Sequence, residues 1–306
     1  MPLDPQLKRY LDQHPTTMPV GPMTPEALRK AVRSSPQATG SGEPEPVAKV
    51  EERQVPVTGG EITVRIYAPD GEPPSPVFIY YHGGGFVVGD LDMVDALCRQ
   101  VVNRARCLVV SVEYRLAPEH PFPTAVEDGY AALRWVGEAA STFHGDPTRV
   151  AVGGDSSGAT IATVAALMAR DRGGPHARLQ VLLYPPVDFV TQRPVVDSTD
   201  AVADYLHEMY LPSESAGRDA YASPVLADDL SGVPDALIVT GELDRLREED
   251  ERYAERLRAA GVHVDYICYD GLTHGFITMF GVLDKAKDAV ERISMALRAA
   301  FTLDTQ

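Results

Sequence analysis

The segment RVAVGGDSSGATIATVAALMAR, residues 149–170, sets the architecture of this 306-residue chain. It opens with a short run of β-branched and small residues, typical of a buried strand, and closes on a stretch with the composition of a helix. The middle, GDSSG at 154–158, fits the pattern G-x-S-x-G. A strand that turns this sharply into a helix leaves the serine at a helix N-terminus, which favours developing negative charge. The segment predicts a nucleophile elbow at Ser156; the plainer interpretation is a glycine-rich turn without chemistry.

Strands and helices alternate on both sides of this elbow. Strands are predicted over 47–57, 61–69, 76–82, 107–114, 149–154, 179–185, 235–242 and 262–270, and helices over 91–105, 124–140, 157–171, 247–260 and 284–300. This order predicts an α/β fold with a mostly parallel sheet flanked by helices, and the tight turn at 58–60 adds an antiparallel edge. An irregular stretch, 187–225, with a helix near 200–210, interrupts the order. An insertion at this point lies above the carboxyl ends of the strands, which is where ligands bind in open α/β sheets.

The first 46 residues are rich in proline and broken into short pieces. Two amphipathic segments, Pro5–Gln13 and Pro25–Ser34, each begin with proline after a polar residue that is suited to cap a helix. Residues 34–46 form a predicted linker. We expect a small helical appendage here rather than a domain with its own core.

A second glycine motif, HGGGF at 82–86, follows another buried strand. Consecutive glycines allow backbone N–H groups to approach a substrate oxygen and stabilise an oxyanion. A dinucleotide-binding turn would need a third glycine at position 88, which is valine. A merely flexible loop is the remaining alternative. His82 ends the strand, and we expect it to hold the glycine turn by hydrogen bonds rather than to act as a base.

A nucleophilic serine needs a base and an acid that orients the base. In this class of fold the chain order is serine, acid, histidine. His263 lies at a strand start, whereas His274 follows the last strand and is predicted to reach the sheet end that carries Ser156. Asp244 follows the strand 235–242 in the same way and is the predicted acid. The competing carboxylates lie in the next helix or too close to His274; they are Glu248, Glu249, Asp250 and Asp270.

The charge balance disfavours two kinds of partner. With 28 basic and 44 acidic residues the net charge is −16, which disfavours nucleic acid and anionic membrane surfaces. The N-terminus lacks a signal-peptide pattern, and no stretch approaches the roughly 18 apolar residues of a membrane span. We therefore expect a soluble cytoplasmic protein. The three cysteines are expected to be buried thiols, and the scattered histidines predict neither a metal nor another cofactor.

Four sequence motifs, in their order along the chain, resemble the motifs of one family. HGGGF, YRLAPEHPFP at 114–123, GDSSG and GLTHGF at 271–276 are similar to those of the hormone-sensitive-lipase-like, bacterial family IV carboxylesterases. The resemblance runs from about residue 47 to the C-terminus. It implies an α/β-hydrolase fold with an eight-stranded, mostly parallel sheet and a helical cap. On that basis residues 1–46 and 187–225 are assigned to the cap, and 47–186 and 226–306 to the core.

The resemblance also implies roles for individual residues. Ser156, Asp244 and His274 correspond to the catalytic triad, and the backbone N–H groups of Gly84, Gly85 and Ser157 to the oxyanion hole. The implied substrates are short-to-medium acyl esters, of about two to eight carbons in the acyl chain. Candidate residues to line the pocket are Phe86, Phe189, Tyr205, Met209 and Tyr210. For those in the insertion, packing of the cap on the core is an equally good interpretation. Relatives that dimerise suggest a homodimer.

Two positions depart from the family pattern. Arg245 follows the predicted acid where the family usually has proline, and Ser157 follows the nucleophile where alanine is common. Neither change removes a catalytic group. Two further functions stay open at this stage: cleavage of an amide or lactone by the same triad, and ligand binding without catalysis. Plant gibberellin receptors resemble the family and bind a ligand without catalysis. They lack the catalytic histidine, however, which this chain has at His274.

Overall fold

The protein is described from a computed structural model that covers residues 2–14, 23–33, 35, 40–191 and 198–302. The end of the second amphipathic segment at Ser34 and residues 36–39 of the predicted linker lie outside this description. So do residues 15–22 and 192–197 of the segments assigned to the cap. No helix in the described ranges is long and apolar enough to cross a membrane.

A single eight-stranded sheet forms the centre of the fold, in the order β1-β2-β4-β3-β5-β6-β7-β8. The strands are β1 Lys49–Val57, β2 Gly60–Ala68, β3 Ser75–Tyr81, β4 Leu108–Glu113, β5 Gly145–Asp155, β6 Leu179–Leu183, β7 Asp235–Gly241 and β8 Val264–Tyr269. β2 runs antiparallel to both β1 and β4, and all other neighbours are parallel. The predicted α/β fold with a mostly parallel sheet and an antiparallel edge is therefore confirmed.

Eight α-helices accompany the sheet in the described part of the chain. They are α1 Pro5–Gln13, α2 Pro25–Arg33, α3 Asp95–Ala105, α4 Thr124–Ala139, α5 Ser157–Arg172, α6 Ser198–Tyr210, α7 Arg247–Ala259 and α8 Asp284–Thr302. Asp4 caps α1 by accepting hydrogen bonds from Gln6 N and Leu7 N, as the sequence predicts. Thr24 likewise accepts from Ala27 N at 3.2 Å.

The differences from the sequence prediction concern short elements. Four stretches of 3-10 helix were not predicted: Ala140–Phe143, Glu214–Arg218, Pro224–Leu226 and Phe276–Met279. Each is about one turn long, so it leaves no periodic pattern of apolar residues. The predicted helix 91–105 begins at Asp95, after a turn, and β5 begins at Gly145 rather than at 149.

The core consists of two apolar layers, one on each face of the sheet. Along β3, Val77, Ile79 and Tyr81 face the layer that contains α4, α5 and α7, while Phe78 and Tyr80 face the layer of α3 and α8. Both faces are buried, which is why the parallel strands are near-continuous apolar runs in the sequence.

The register of the central strands brings the functional loops together. Tyr81 at the end of β3 pairs with Val112 of β4 and with Gly154 of β5. The HGGGF loop and the GDSSG turn therefore leave the same edge of the sheet side by side. Their approach is close, because a methyl group on Gly158 would collide with the carbonyl oxygen of Tyr81.

We expect Gly158→Ala to destabilise the fold, because the collision involves backbone on both sides and cannot be relieved by a side-chain rotation. The free energy of unfolding should fall by about 3 kcal/mol or more, and Tm by roughly 5 °C or more. Thermal unfolding followed by circular dichroism measures both. Gly60→Ala is the control, since a methyl group there meets nothing within 4 Å; equal Tm values for the two variants would contradict the prediction.

Candidate active site

Ser156 sits on a strained backbone between β5 and α5. Its φ and ψ are 52° and −125°, a conformation that a non-glycine residue adopts only when the surroundings impose it. The Ser156 N–H donates to Leu183 O at 2.8 Å, which ties the turn to β6. Methyl groups on Gly154 or Gly158 would both collide with Tyr81 O. The two glycines of the G-x-S-x-G pattern are thus required by packing against β3.

The three predicted triad residues meet in one hydrogen-bonded chain. His274 Nε2 lies 2.8 Å from Ser156 Oγ, and His274 Nδ1 lies 2.7 Å from Asp244 Oδ2. Asp244 is only 6% exposed. Because the carboxylate accepts the Nδ1 proton, the neutral imidazole presents an unprotonated Nε2 to the serine hydroxyl.

Each partner in this chain is held by its own loop. The other carboxylate oxygen of Asp244 accepts from Leu246 N at 2.9 Å. Leu243 N donates to Leu272 O at 2.9 Å, which joins the loop of the acid to the loop of the histidine. Helix α1 supports the latter loop as well, because Asp4 N donates to Gly271 O at 2.9 Å.

The competing residues lie elsewhere. His263 is on the surface beside Asp265, with 72% of its side chain exposed. Glu249 accepts a hydrogen bond from Val187 N at 2.9 Å in the insertion. His82 is buried, and its Nδ1 donates to Gly83 O at 2.8 Å within the glycine loop. Burial lowers the pKa of His82, which keeps its imidazole neutral.

The glycine loop presents free donors at the edge of the sheet. Gly84 and Gly85 have φ values of 128° and 59°, and Gly84 O accepts from Val87 N at 3.1 Å and Val88 N at 3.0 Å. Gly83 N is engaged, since it donates to Asp155 Oδ1 at 3.0 Å. Among the described residues, the N–H groups of Gly84 and Gly85 donate to no protein group. They remain available for an external oxygen.

Helix α2 braces the same loop through Arg29. Its Nε donates to Val87 O at 2.8 Å and its Nη2 to Ala117 O at 3.1 Å. The guanidinium also forms a two-pronged pair with Glu119, at 3.0 and 2.7 Å. A residue of the N-terminal segment therefore connects the loops that follow β3 and β4.

The chain is similar to proteins of a known family. A family profile described as the α/β-hydrolase fold matches residues 78–278. The chain belongs to the hormone-sensitive-lipase-like α/β hydrolases. It is similar to the carboxylic ester hydrolase LipN of Mycobacterium tuberculosis, at 44% identity over 263 residues that cover 82% of this chain and 70% of that protein.

Two further relatives extend the match to nearly the whole chain. An ethyl acetate hydrolase of Pseudomonas putida is 32% identical over 316 residues, covering 97% of this α/β hydrolase and 99% of the relative. The solved structure of a hyperthermophilic esterase from Pyrobaculum calidifontis superposes with a TM-score of 0.90 at 36% identity, over 98% and 99% of the two chains. The family and the fold predicted from sequence are thereby confirmed.

Opposing effects determine the pKa of the His274 imidazole in this α/β hydrolase. Desolvation lowers the pKa of His274, but the adjacent Asp244 carboxylate and the more distant Asp155 raise it by more. The pKa of His274 is therefore raised above its ordinary value of 6.5. Tyr184, whose ring centroid lies 4.7 Å from that of His274, covers one side of the imidazole.

Asp155 is a buried carboxylate that the sequence analysis did not single out. Tyr80 Oη donates to its Oδ1 at 2.7 Å, and Gly83 N donates to the same oxygen at 3.0 Å. Burial raises the pKa of Asp155. It connects the nucleophile turn to the glycine loop, and its position directly before Ser156 was the available signal.

The candidate pocket residues fall into different environments. Phe86 and Tyr210 are fully buried and stack with ring centroids 3.7 Å apart, while Phe189 lies 6.1 Å from each. Met209 packs on the same apolar layer, and Tyr205 Oη donates to Met23 O at 2.8 Å. Their role towards a substrate stays a prediction.

Leu206 is a further residue of the site, and it was not among those predicted from the sequence. A methyl group on Gly85 would lie 2.6 Å from Leu206 Cδ1, so this leucine covers the glycine loop directly. It stands four residues before Tyr210, on the same face of α6, and that spacing could have indicated it. Within the described residues, no cluster of three or more side chains is suited to a metal ion, and the three cysteines are free thiols.

We expect the His274 imidazole to titrate above 6.5 in the resting protein, and below 6.5 in the Asp244→Asn variant. The substitution keeps the size of the side chain but removes the charge that offsets desolvation, so desolvation and Arg245, which lower the pKa, are opposed by the weaker influence of Asp155. NMR of the labelled imidazole measures both values. Asp265→Asn, beside the exposed His263, is the control; a pKa that stays high without Asp244 would contradict the account.

Proposed function

We propose that this α/β hydrolase is a carboxylesterase that cleaves short-to-medium acyl esters through Ser156, His274 and Asp244. The observation that carries the proposal is the continuous hydrogen-bonded chain from Asp244 Oδ2 through His274 to Ser156 Oγ, with contacts of 2.7 and 2.8 Å. The glycine loop beside the serine supports the same chemistry, because the free N–H groups of Gly84 and Gly85 lie at the same edge of the sheet.

The reaction proceeds in two halves. His274 Nε2 takes the proton of Ser156 Oγ while that oxygen bonds to the ester carbonyl carbon, and the imidazolium then gives this proton to the departing alcohol. Water attacks the resulting acyl-serine and gives its proton to His274. Collapse of the second tetrahedral intermediate returns the proton to Ser156 Oγ and releases the carboxylic acid.

The negative charge of each tetrahedral intermediate is received by the N–H groups of Gly84, Gly85 and Ser157. Donors of this kind are each worth about 2.7–4 kcal/mol in the transition state, because they are aligned before the reaction and shielded from water. Asp155 supports this alignment by holding Gly83 N, and Arg29 supports it by holding Val87 O. Ser157 N lies at the first turn of α5, where the helix dipole also favours an anion.

The short-acyl preference rests on what covers the glycine loop. We propose that residues 1–46 and 187–225 form a cap over the core that consists of 47–186 and 226–306. Tyr205 of the insertion bonds to Met23 of the N-terminal segment, and Leu206 presses on Gly85. An apolar side chain this close to the oxyanion donors limits the length of the acyl chain. A cytoplasmic location and a homodimer stay predictions.

We expect Ser156→Ala to lower kcat/KM for p-nitrophenyl butyrate by about 10⁴-fold or more, because the acyl-enzyme can no longer form. The same variant should resist labelling by a fluorophosphonate probe, which modifies the wild-type protein at Ser156. Ser231→Ala, in an exposed loop, is the control. Full ester hydrolysis by Ser156→Ala would disprove the mechanism, and a wild-type protein that binds esters without hydrolysing them would favour a receptor.

We expect kcat/KM across p-nitrophenyl esters to be highest between about two and eight acyl carbons and to fall for longer chains, since Leu206 closes the space above Gly85. The measurement is a series from acetate to palmitate at constant detergent. Leu206→Ala should shift the maximum towards longer chains. A flat profile, or a maximum at palmitate in the wild-type protein, would rule out the short-acyl preference.

A further inference from the structure

Three consecutive residues of α6 contact three different parts of the molecule. Asp204 Oδ1 accepts from Arg245 Nη2 at 3.1 Å, next to the acid of the triad. Tyr205 bonds to Met23 in the N-terminal segment, and Leu206 covers Gly85 in the glycine loop. Helix α6 of the insertion is therefore attached both to the loop of the proposed acid and to the glycine loop that carries the proposed oxyanion donors.

Arg245 contributes the attachment on the side of the acid. The loop does not need this side chain to place Asp244, because backbone N–H groups already hold it: Leu246 N binds the carboxylate, and Asp244 N donates to Gly241 O at 3.1 Å. A proline, which the family usually has here, would fit such a loop but could not reach α6. The arginine therefore adds a contact to the insertion that the triad geometry itself does not require.

The Arg245–Asp204 ion pair is partly buried, and this increases its contribution to stability. Arg245 is 18% exposed and Asp204 39%, so the pair is only partly screened by water. Pairs at the open surface contribute little, and partial shielding raises the contribution. If this contact is lost, the Tyr205 hydrogen bond and the apolar contact of Leu206 remain in the middle of α6. At the C-terminal end of the helix, Tyr210 still stacks on Phe86 and accepts a hydrogen bond from Phe122 N at 2.9 Å.

We propose that the Arg245–Asp204 ion pair fixes helix α6 over the oxyanion loop, and that Arg245 is a positioning residue for ester hydrolysis. The inference rests on the proposed carboxylesterase function. With the pair intact, Leu206 stays against Gly85 and encloses the acyl group beside the donors. Without it, α6 moves away more readily, and the substrate is held less well in the transition state.

Arg245 has a second effect, which a purely structural contact would lack. The charged groups that act on His274 are Asp244, Asp155 and Arg245, and Arg245 lowers the pKa of the imidazole. Loss of the arginine charge should therefore raise the pKa of His274 and move the acidic limb of kcat/KM to higher pH. Loss of the Asp204 charge keeps the Arg245 charge in place, so it should not move the limb upward.

The test compares Arg245→Met, Asp204→Ala and the double variant with wild type. The matched control is Arg247→Met, whose guanidinium pairs with Glu251 along its own helix at 3.9 Å. Each single variant should lower kcat/KM for p-nitrophenyl butyrate by about three- to tenfold, and the double variant by no more than Arg245→Met alone, since both changes break the same pair. The control should stay within about twofold. Only the two variants that lack the arginine, Arg245→Met and the double variant, should move the acidic limb upward.

Hydrogen exchange of the amides in 202–211 gives a readout that does not depend on activity. Exchange should be faster in Arg245→Met and Asp204→Ala than in wild type and Arg247→Met. Unchanged exchange, or additive losses of kcat/KM in the double variant, would overturn the inference while leaving the esterase function intact. A wild-type protein without ester hydrolysis would instead disprove the proposed function, and the exchange data would still decide whether the ion pair holds α6.

Discussion

The close contact between helix α5 and the end of β3 is the constraint on which the rest of the site depends. Tyr81 O lies so near Gly154 and Gly158 that neither can carry a side chain. This contact forces the positive φ of Ser156 and places its hydroxyl at the sheet edge where β3, β5 and β7 end. Strain at the serine is maintained because the packing of whole elements opposes its relief. The contact thereby places the glycine loop, the acid loop and the histidine loop around one point.

Each of these loops is held by a segment distant in the chain. Helix α1 bonds to the histidine loop at Gly271, and α2 bonds through Arg29 to the glycine loop. Helix α6 reaches the acid loop through Asp204. The N-terminal segment and the insertion therefore support the loops that follow β3, β7 and β8. Support of this kind keeps hydrogen-bond geometry within the narrow limits that transition-state stabilisation needs.

Two carboxylates near the serine hold different groups in place. Asp244 bonds to the imidazole and orients it, whereas Asp155 bonds to Tyr80 and Gly83 and holds the glycine loop. Both also act on His274 by raising its pKa, against desolvation and Arg245. A raised pKa makes the imidazole a better proton acceptor, and in the proposed mechanism it also limits activity when the medium is acidic enough to protonate His274.

The sequence by itself determined the α/β alternation, the elbow at Ser156 and the positions of Asp244 and His274, because these depend on local patterns and on where a strand ends. The caps of α1 and α2 were local in the same way. Only the tertiary structure decided that Asp155 holds Gly83, that Leu206 covers Gly85 and that Arg245 reaches Asp204. These contacts join residues separated by 72, 121 and 41 positions. Pairings over such distances leave no periodic signal in one chain, since they arise only when packed elements bring the side chains together.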